Sequence, residues 1–432
     1  MIFQQPRIKP IALAVSALAL AAAIAACGGG DDDNSGNNTA PQPEKFAAAV
    51  YGDVPYGIPS TDAALPAGVD LAEFKKMPAY LANINADKDL SVVLHVGDLH
   101  SGSEPCTQAY DTAIAGFFKT LTLPLVYTPG DNEWQDCQVT KELKGTYSES
   151  VPELPNVPGT VQPSYAGGNP VDNLALVRKL FFPVPGKTLG SGSLAVHSQA
   201  TEGKTDGDKQ FVENVWWMNQ GVLFVAANVP GGSNNGTDVW FSNAKPATPQ
   251  PVTAEQKAEV ETRSAATRNW LANAFDQADA QKASAVVILV QADMWSSELM
   301  PHDSRLSEYK QYIDIIADRT ARFGKPVLLV NGDTHTFQSD NPLMANQPCV
   351  RQDPLAPANT KADTVACGAF DPYSRNAEGA TYNVKNFHRV MVHGQTLPME
   401  WTKLTFDPAK NADNGSFAFG PFAWERKFVA FN

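Results

Sequence analysis

Four hydrophobic runs in this chain end in the same dipeptide, Gly-Asp: Tyr51-Gly52-Asp53, Val96-Gly97-Asp98, Pro129-Gly130-Asp131 and Asn331-Gly332-Asp333. Glycine lets a strand turn sharply and brings backbone close to a ligand, while aspartate supplies a hard anionic oxygen. In an open α/β sheet the strand ends gather along one edge, where ligands bind. Four carboxylates meeting there repel one another unless a cation holds them. Two further pairs, Gly30-Asp31 and Gly207-Asp208, sit in polar loops with no strand before them, so one Gly-Asp alone carries little. The repetition at strand ends makes a divalent-metal site the leading expectation.

The buried-strand candidates are 46–51, 91–96, 123–128, 221–228, 285–291 and 326–331, each short, rich in Val, Leu and Ile, and bounded by Gly, Pro or Asp. Helical patterns fall between them, most clearly over 253–280, where Trp270, Leu271, Ala274 and Phe275 make an apolar stripe, and again over 307–323. The stretches 389–393 and 401–406 read as two antiparallel strands. The fold class is therefore α/β. The region 145–210 is rich in Pro, Gly and Ser apart from a helix-like piece near Leu174 to Phe182, and insertions of that kind often serve as lids or substrate walls.

The N-terminus reads as a targeting segment. Arg7 and Lys9 precede an apolar stretch from Ile11 to Ala26, too short for a comfortable membrane span, which then meets Cys27. The residues Ile24-Ala25-Ala26-Cys27 resemble a bacterial lipobox, which implies cleavage after residue 26 and lipid attachment at Cys27. Residues 27–44 are polar and should form a flexible tether, with one domain over 45–432. The expected location is the bacterial envelope, at the outer membrane or periplasmic face, with the lipid as the only membrane contact and the protein a monomer. Without Arg7 and Lys9 the chain has 31 basic and 46 acidic residues, a net charge of −15, which argues against nucleic acid as a partner. A small phosphorylated substrate stays compatible, because a bound metal inverts the local charge.

Setting Cys27 aside leaves Cys106, Cys137, Cys349 and Cys367, and four cysteines in an exported chain favour two disulfides. Three pairings exist and the sequence does not choose among them. If the strands before Asp98 and Asp131 are neighbours, a Cys106–Cys137 bridge would pin two site loops together, and Cys349–Cys367 would close a local one. A zinc–cysteine site is the rival, but no close CxxC spacing supports it.

Three of the strand ends continue distinctively: Gly97-Asp98-Leu99-His100, Gly130-Asp131-Asn132-Glu133 and Gly332-Asp333-Thr334-His335. With Asp53-Val54-Pro55 before them and Gln291 ending the run from Val287, their order resembles that of the calcineurin-like metallophosphoesterases. The resemblance spans about residues 46 to 393 and implies two packed mixed β-sheets flanked by helices, with metals at one edge. It implies that Asp98 bridges two metals, that Asp53 and His335 complete the first, and that Asp131, Gln291 and Asp333 surround the second. It also implies hydrolysis of phosphate mono- or diesters by a metal-activated water.

The chain departs from the family at Pro55, Asp131, Asn132, Gln291 and Asp333, and keeps its identities at Asp53, Asp98, Glu133 and His335. Carboxylate and amide oxygens with a single imidazole suit Mn²⁺, Mg²⁺ or Ca²⁺ better than zinc or iron, as one ion or two. Asn132 stands where the family has the His that assists the leaving group. It donates hydrogen bonds but delivers no proton near pH 7. His100 is the substitute acid, or a replacement ligand, or an exposed loop residue. Tyr56 either moves into the place of the missing motif-one His or packs at the loop base. His95 reads as a core imidazole, His302 as a surface loop residue, and His388 and His393 as structural. Trp134 and Trp295 could wall a leaving group or pack under the loops. The alternative to an enzyme is a metal-stabilised binding lipoprotein that kept the fold and lost the chemistry.

Overall fold

The computed structural model describes residues 43–56, 72–102, 106, 108–137, 170–237, 240, 251–296, 304–353, 364–368, 371–376, 379–395 and 399–431. The signal segment, Cys27, most of the tether, residues 145–169 and His302 lie outside them. In chain order the strands are β1 (Phe46–Tyr51), β2 (Leu90–His95), β3 (Leu125–Tyr127), β4 (His197–Ser198), β5 (Val215–Asn219), β6 (Val222–Ala226), β7 (Ala285–Leu289) and β8 (Val327–Asn331). They continue as β9 (Gln338–Asp340), β10 (Val350–Gln352), β11 (Thr364–Ala366), β12 (Phe387–Met391), β13 (Glu400–Phe406), β14 (Ala418–Phe419) and β15 (Phe422–Phe428). The helices are α1 (Ala72–Ala86), α2 (Gln108–Phe118), α3 (Pro170–Phe181), α4 (Gln199–Glu202), the single turn α5 (Gly231–Asn234), α6 (Ala254–Ala280), α7 (Ser304–Ser307) and α8 (Lys310–Phe323).

Two mixed sheets face each other. One has the order β14-β15-β13-β1-β2-β3, and the other β11-β10-β9-β12-β8-β7-β6-β5-β4. β1, β2 and β3 run parallel, as do β6, β7, β8 and β12, and antiparallel strands extend both groups. Alternation along β1 shows how the layers form. Phe46, Ala48 and Val50 enter a core shared with Trp217, Phe224, Val287 and Val330 of the other sheet. Ala47, Ala49 and Tyr51 point the opposite way, against Met77 and Leu81 of α1 and Ile114 of α2. On the far side, α6 and α8 cover Leu223, Val286, Ile288 and Leu329 through Trp270, Phe275, Ile313 and Ile316. A strand with a core on each face must be apolar throughout, which is why these runs read as continuous hydrophobic segments. The expected pair of packed mixed sheets flanked by helices is the observed fold.

The pairing expected for 389–393 and 401–406 is not. β12 lies beside β8 in the larger sheet, whereas β13 pairs with β1 and β15 in the smaller one. All five residues of β12 are buried, as a strand between two others requires. The described part of the 145–210 insertion contributes α3, whose Val177 and Phe181 belong to the core of the smaller sheet. The disulfides are Cys106–Cys137 and Cys349–Cys367, with Cα–Cα distances of 5.6 and 5.4 Å.

Candidate metal centre

The parallel strands β1, β2, β3, β7 and β8 deliver their C-terminal ends to one edge, where Asp53, Asp98, Asp131, Gln291 and Asp333 converge. Asp53, Asp98 and Asp333 occupy the left-handed region, with φ of 53°, 60° and 86°, so each chain turns at its aspartate. The turns are tied together through the backbone. The Asp53 N–H donates to Gly97 O (2.9 Å), the Val54 N–H to Asp98 O (3.2 Å), and the Gln395 N–H to Asp53 O (2.9 Å). His95 is the core imidazole expected. Its Nδ1 accepts from the Gly97 N–H at 3.1 Å, so its Nε2 carries the proton and donates to Val54 O at 3.3 Å, propping two site loops at once.

Glycine makes room for this crowding. A methyl group on Gly332 would lie 2.4 Å from Asp53 Oδ2, and one on Gly130 1.8 Å from Asp98 Oδ1. A third such position had no signal in the Gly-Asp pattern. A methyl group on Gly231, five residues past β6, would lie 2.6 Å from Asp131 Oδ1 and 2.7 Å from Asp333 Oδ1, so only glycine lets this loop come so close to both carboxylates. The one available cue was Pro230-Gly231-Gly232 following a buried strand.

The carboxylates stand in strong mutual repulsion. Burial, then the charge of Asp333, holds the Asp53 carboxyl well above the usual carboxylate range. Burial and the charges of Asp131, Glu133 and Asp53 do the same to Asp98, and burial with Asp333 to Asp131. Among the described residues no lysine or arginine pairs with Asp53, Asp98 or Asp131. Asp53 Oδ2 and Asp131 Oδ1 are buried without a hydrogen-bond partner. His335 Nε2 lies 3.7 Å from Asp53 Oδ1, and burial followed by the His393 charge lowers its pKa to about 4.

Asp98 is in a different condition. Its Oδ2 accepts from the Tyr56 hydroxyl (2.9 Å), Asn132 Nδ2 (3.0 Å) and Gln291 Nε2 (3.1 Å), and its Oδ1 from the Asn132 N–H (3.3 Å). Tyr56 is thus a site residue and not loop-base packing, and its ring meets His335 edge-on at 5.1 Å. Gln291 does not offer the amide oxygen expected of a ligand. The Gly231 N–H donates to Oε1, and reversing the amide would oppose two donors there and two acceptors at Asp98. Asn132 Nδ2 donates to the Tyr56 hydroxyl (2.7 Å) as well as to Asp98, so both its amide hydrogens are engaged inside the protein.

His100 is not the exposed loop residue that one of its three readings expects. It is buried against Tyr110 and beside the sulfurs of Cys106 and Cys137, whose disulfide excludes them as metal ligands. Glu133 is fully buried, accepts from the Tyr127 hydroxyl, and is raised in pKa by burial. Trp134 packs on Leu174 and Trp240, and Trp295 donates to Asn376 Oδ1 at 3.1 Å, so both serve packing. His393 lies 3.5 Å from Glu400, and His388 is hydrogen-bonded to Ser339 and Asn414, in structural positions.

The residues fit a cation on one side of this cluster. Asp131 Oδ1, buried and unpartnered, and Asp333 Oδ1 both lie against Gly231, and hard oxygens of this kind are what a divalent ion takes. Among the described residues, the ligand atoms of no three site carboxylates or imidazoles all approach within 4.8 Å. The carboxylates therefore do not close on a single point.

No family model matches this sequence, and no curated protein matches it. Among solved structures the chain is similar to a dimetal phosphatase from Danio rerio at 6% identity and a TM-score of 0.38, over 89% of this chain and 99% of that one. So loose a likeness leaves the reading to the geometry.

Proposed function

We propose that this chain is a divalent-metal-dependent hydrolase of phosphate mono- or diesters, a divergent relative of the calcineurin-like metallophosphoesterases. The observation that carries the reading is the pair Asp131 Oδ1 and Asp333 Oδ1, brought together against Gly231 among carboxylates that no described lysine or arginine offsets at Asp53, Asp98 or Asp131. Asp131 and Asp333 would hold the ion, with Asp53 Oδ2 the next unpartnered oxygen of the cluster. Such an ion supplies Lewis-acid polarisation of a phosphate oxygen and a bound water of lowered pKa. Mn²⁺, Mg²⁺ or Ca²⁺ suit this oxygen-rich set better than zinc or iron.

The chain's own residues restrict the substrate. Asn132 has no amide hydrogen left for a leaving group, and His335, with a pKa of about 4, is neutral at pH 7. Esters whose leaving group departs without protonation, such as aryl phosphates, therefore suit the site, and alkyl esters do not. That neither Asn132 nor His335 supplies a proton favours a second reading, a binding protein that holds metal without turnover. Two disulfides support export, and the sequence at Cys27 supports attachment to the bacterial envelope.

The test is hydrolysis of p-nitrophenyl phosphate and bis-p-nitrophenyl phosphate by metal-stripped protein with Mn²⁺, Mg²⁺ or Ca²⁺ restored. The expected result is metal-dependent turnover that Asp131→Asn lowers by about 100-fold or more, roughly 3 kcal/mol of transition-state stabilisation. Metal binding without turnover on either ester would establish the second reading instead.

A further inference from the structure

We infer that the site is built for one cation and not two, the Tyr56 hydroxyl and the Asn132 and Gln291 amides having taken over the Asp98 oxygens that a second ion would need. The inference rests on the metal-dependent reading above and concerns how many ions this chain holds and where.

A carboxylate offers about four lone-pair directions. At Asp98 three side-chain donors crowd the two lone pairs of Oδ2 at 2.9, 3.0 and 3.1 Å, and the Asn132 N–H takes one of the two on Oδ1 at 3.3 Å, which leaves one direction where bridging needs two. Bridging two metals requires the same lone pairs. None of these donors is loosely placed. The Tyr56 N–H is anchored on Glu73 Oε2 at 2.6 Å, its ring lies against His335, and the side chain is 1% exposed. Tyr56 thereby reaches from the His335 ring to the Asp98 carboxylate, the two residues that a first ion beside Asp53 would have to share. Gln291 is fixed from its far end by the Gly231 N–H. Asn132 is fixed by its own backbone and by the phenol oxygen that it donates to.

The other side of the cluster is open in the opposite sense. Asp131 Oδ1 has no hydrogen-bond partner, and it and Asp333 Oδ1 both come closer to residue 231 than a Cβ there would allow. Gly231 is not among the residues with left-handed backbone, so alanine could adopt its conformation, and its methyl group would push the Asp131 and Asp333 carboxylates aside. One half of the cluster is closed by hydrogen-bond donors and the other is left for an ion.

Elemental analysis and calorimetric titration of the chelator-stripped full chain with Mn²⁺ read the stoichiometry, and electron paramagnetic resonance reads the environment of the ion. One Mn²⁺ per chain is expected, with the six-line spectrum of an isolated ion, and with Kd raised at least tenfold by Asp131→Asn and by Gly231→Ala. Two Mn²⁺ per chain with an exchange-coupled spectrum would overturn this inference and leave the metal-dependent reading intact. No bound Mn²⁺ would overturn both. One Mn²⁺ whose Kd neither variant changes would overturn its placement. If Gly231→Ala loses the native circular dichroism spectrum, Asp131→Asn decides the placement.

Discussion

Tyr56 is the residue on which the description of the site turns, because its hydroxyl both donates to Asp98 and accepts from Asn132. Tyr56→Phe strands a buried amide hydrogen and removes one donor from a carboxylate that burial and four neighbouring acids already disfavour. A loss of about 1–3 kcal/mol is expected from urea denaturation, and a phenol merely packing at the loop base would cost almost nothing. The four Gly-Asp strand ends were legible because strand ends and aspartates are local features. The orientation of Gln291 was not, since the backbone N–H that fixes it belongs to Gly231, sixty residues earlier in the chain. His100 looked available in the sequence for a similar reason. What buries it is Tyr110 on α2 and a disulfide whose second half lies on another loop.

Between the site and the larger sheet stands a buried ion triad on β12. Arg389 bonds Asp293 at 2.5 Å and Asp340 at 2.8 and 2.7 Å, and the N–H of Asp293 in turn donates to Asp333 Oδ2 at 2.8 Å. Arg389→Met leaves two buried carboxylates without their cation and should cost about 3–5 kcal/mol in equilibrium unfolding. A cost below 1 kcal/mol would show the triad to be dispensable. The turn that carries Gly231 is also held from outside. Ser233, Asn234 and Asn235 have φ of 58°, 55° and 57°, and the fully buried Arg263 of α6 donates to Asn234 O at 2.7 Å. Hydrophobic periodicity located β1, β2, β6, β7, β8, α6 and α8, each with its own apolar signal. It did not assign β12 and β13 to different sheets, because which neighbour a buried strand takes depends on layers formed elsewhere in the chain.

Across the whole molecule, two opposing titrations set the response to pH. His95 and His388 are pushed by burial to about 3 and about 4, below the unfolded value of roughly 6.5. The unfolded chain therefore binds more protons between those values, and stability falls as pH drops from about 6.5 toward 4, by up to about 1.4 kcal/mol per pH unit for each histidine. His388→Gln should flatten that limb in thermal denaturation between pH 6.5 and 4, and an unchanged slope would contradict the assignment. Asp53, Asp98 and Asp131 act with the opposite sign. Their raised folded pKa values favour the native state at low pH, and that contribution is lost as pH rises through them. A cation among them should restore stability at neutral pH, by about 2.7 kcal/mol at a free concentration 100-fold above its Kd. The most direct measurement is the anomalous scattering of a crystal grown with Mn²⁺. A peak between Asp131 and Asp333, beside Gly231, is predicted; a well-ordered map with no peak there, or with manganese only elsewhere, would contradict the metal centre.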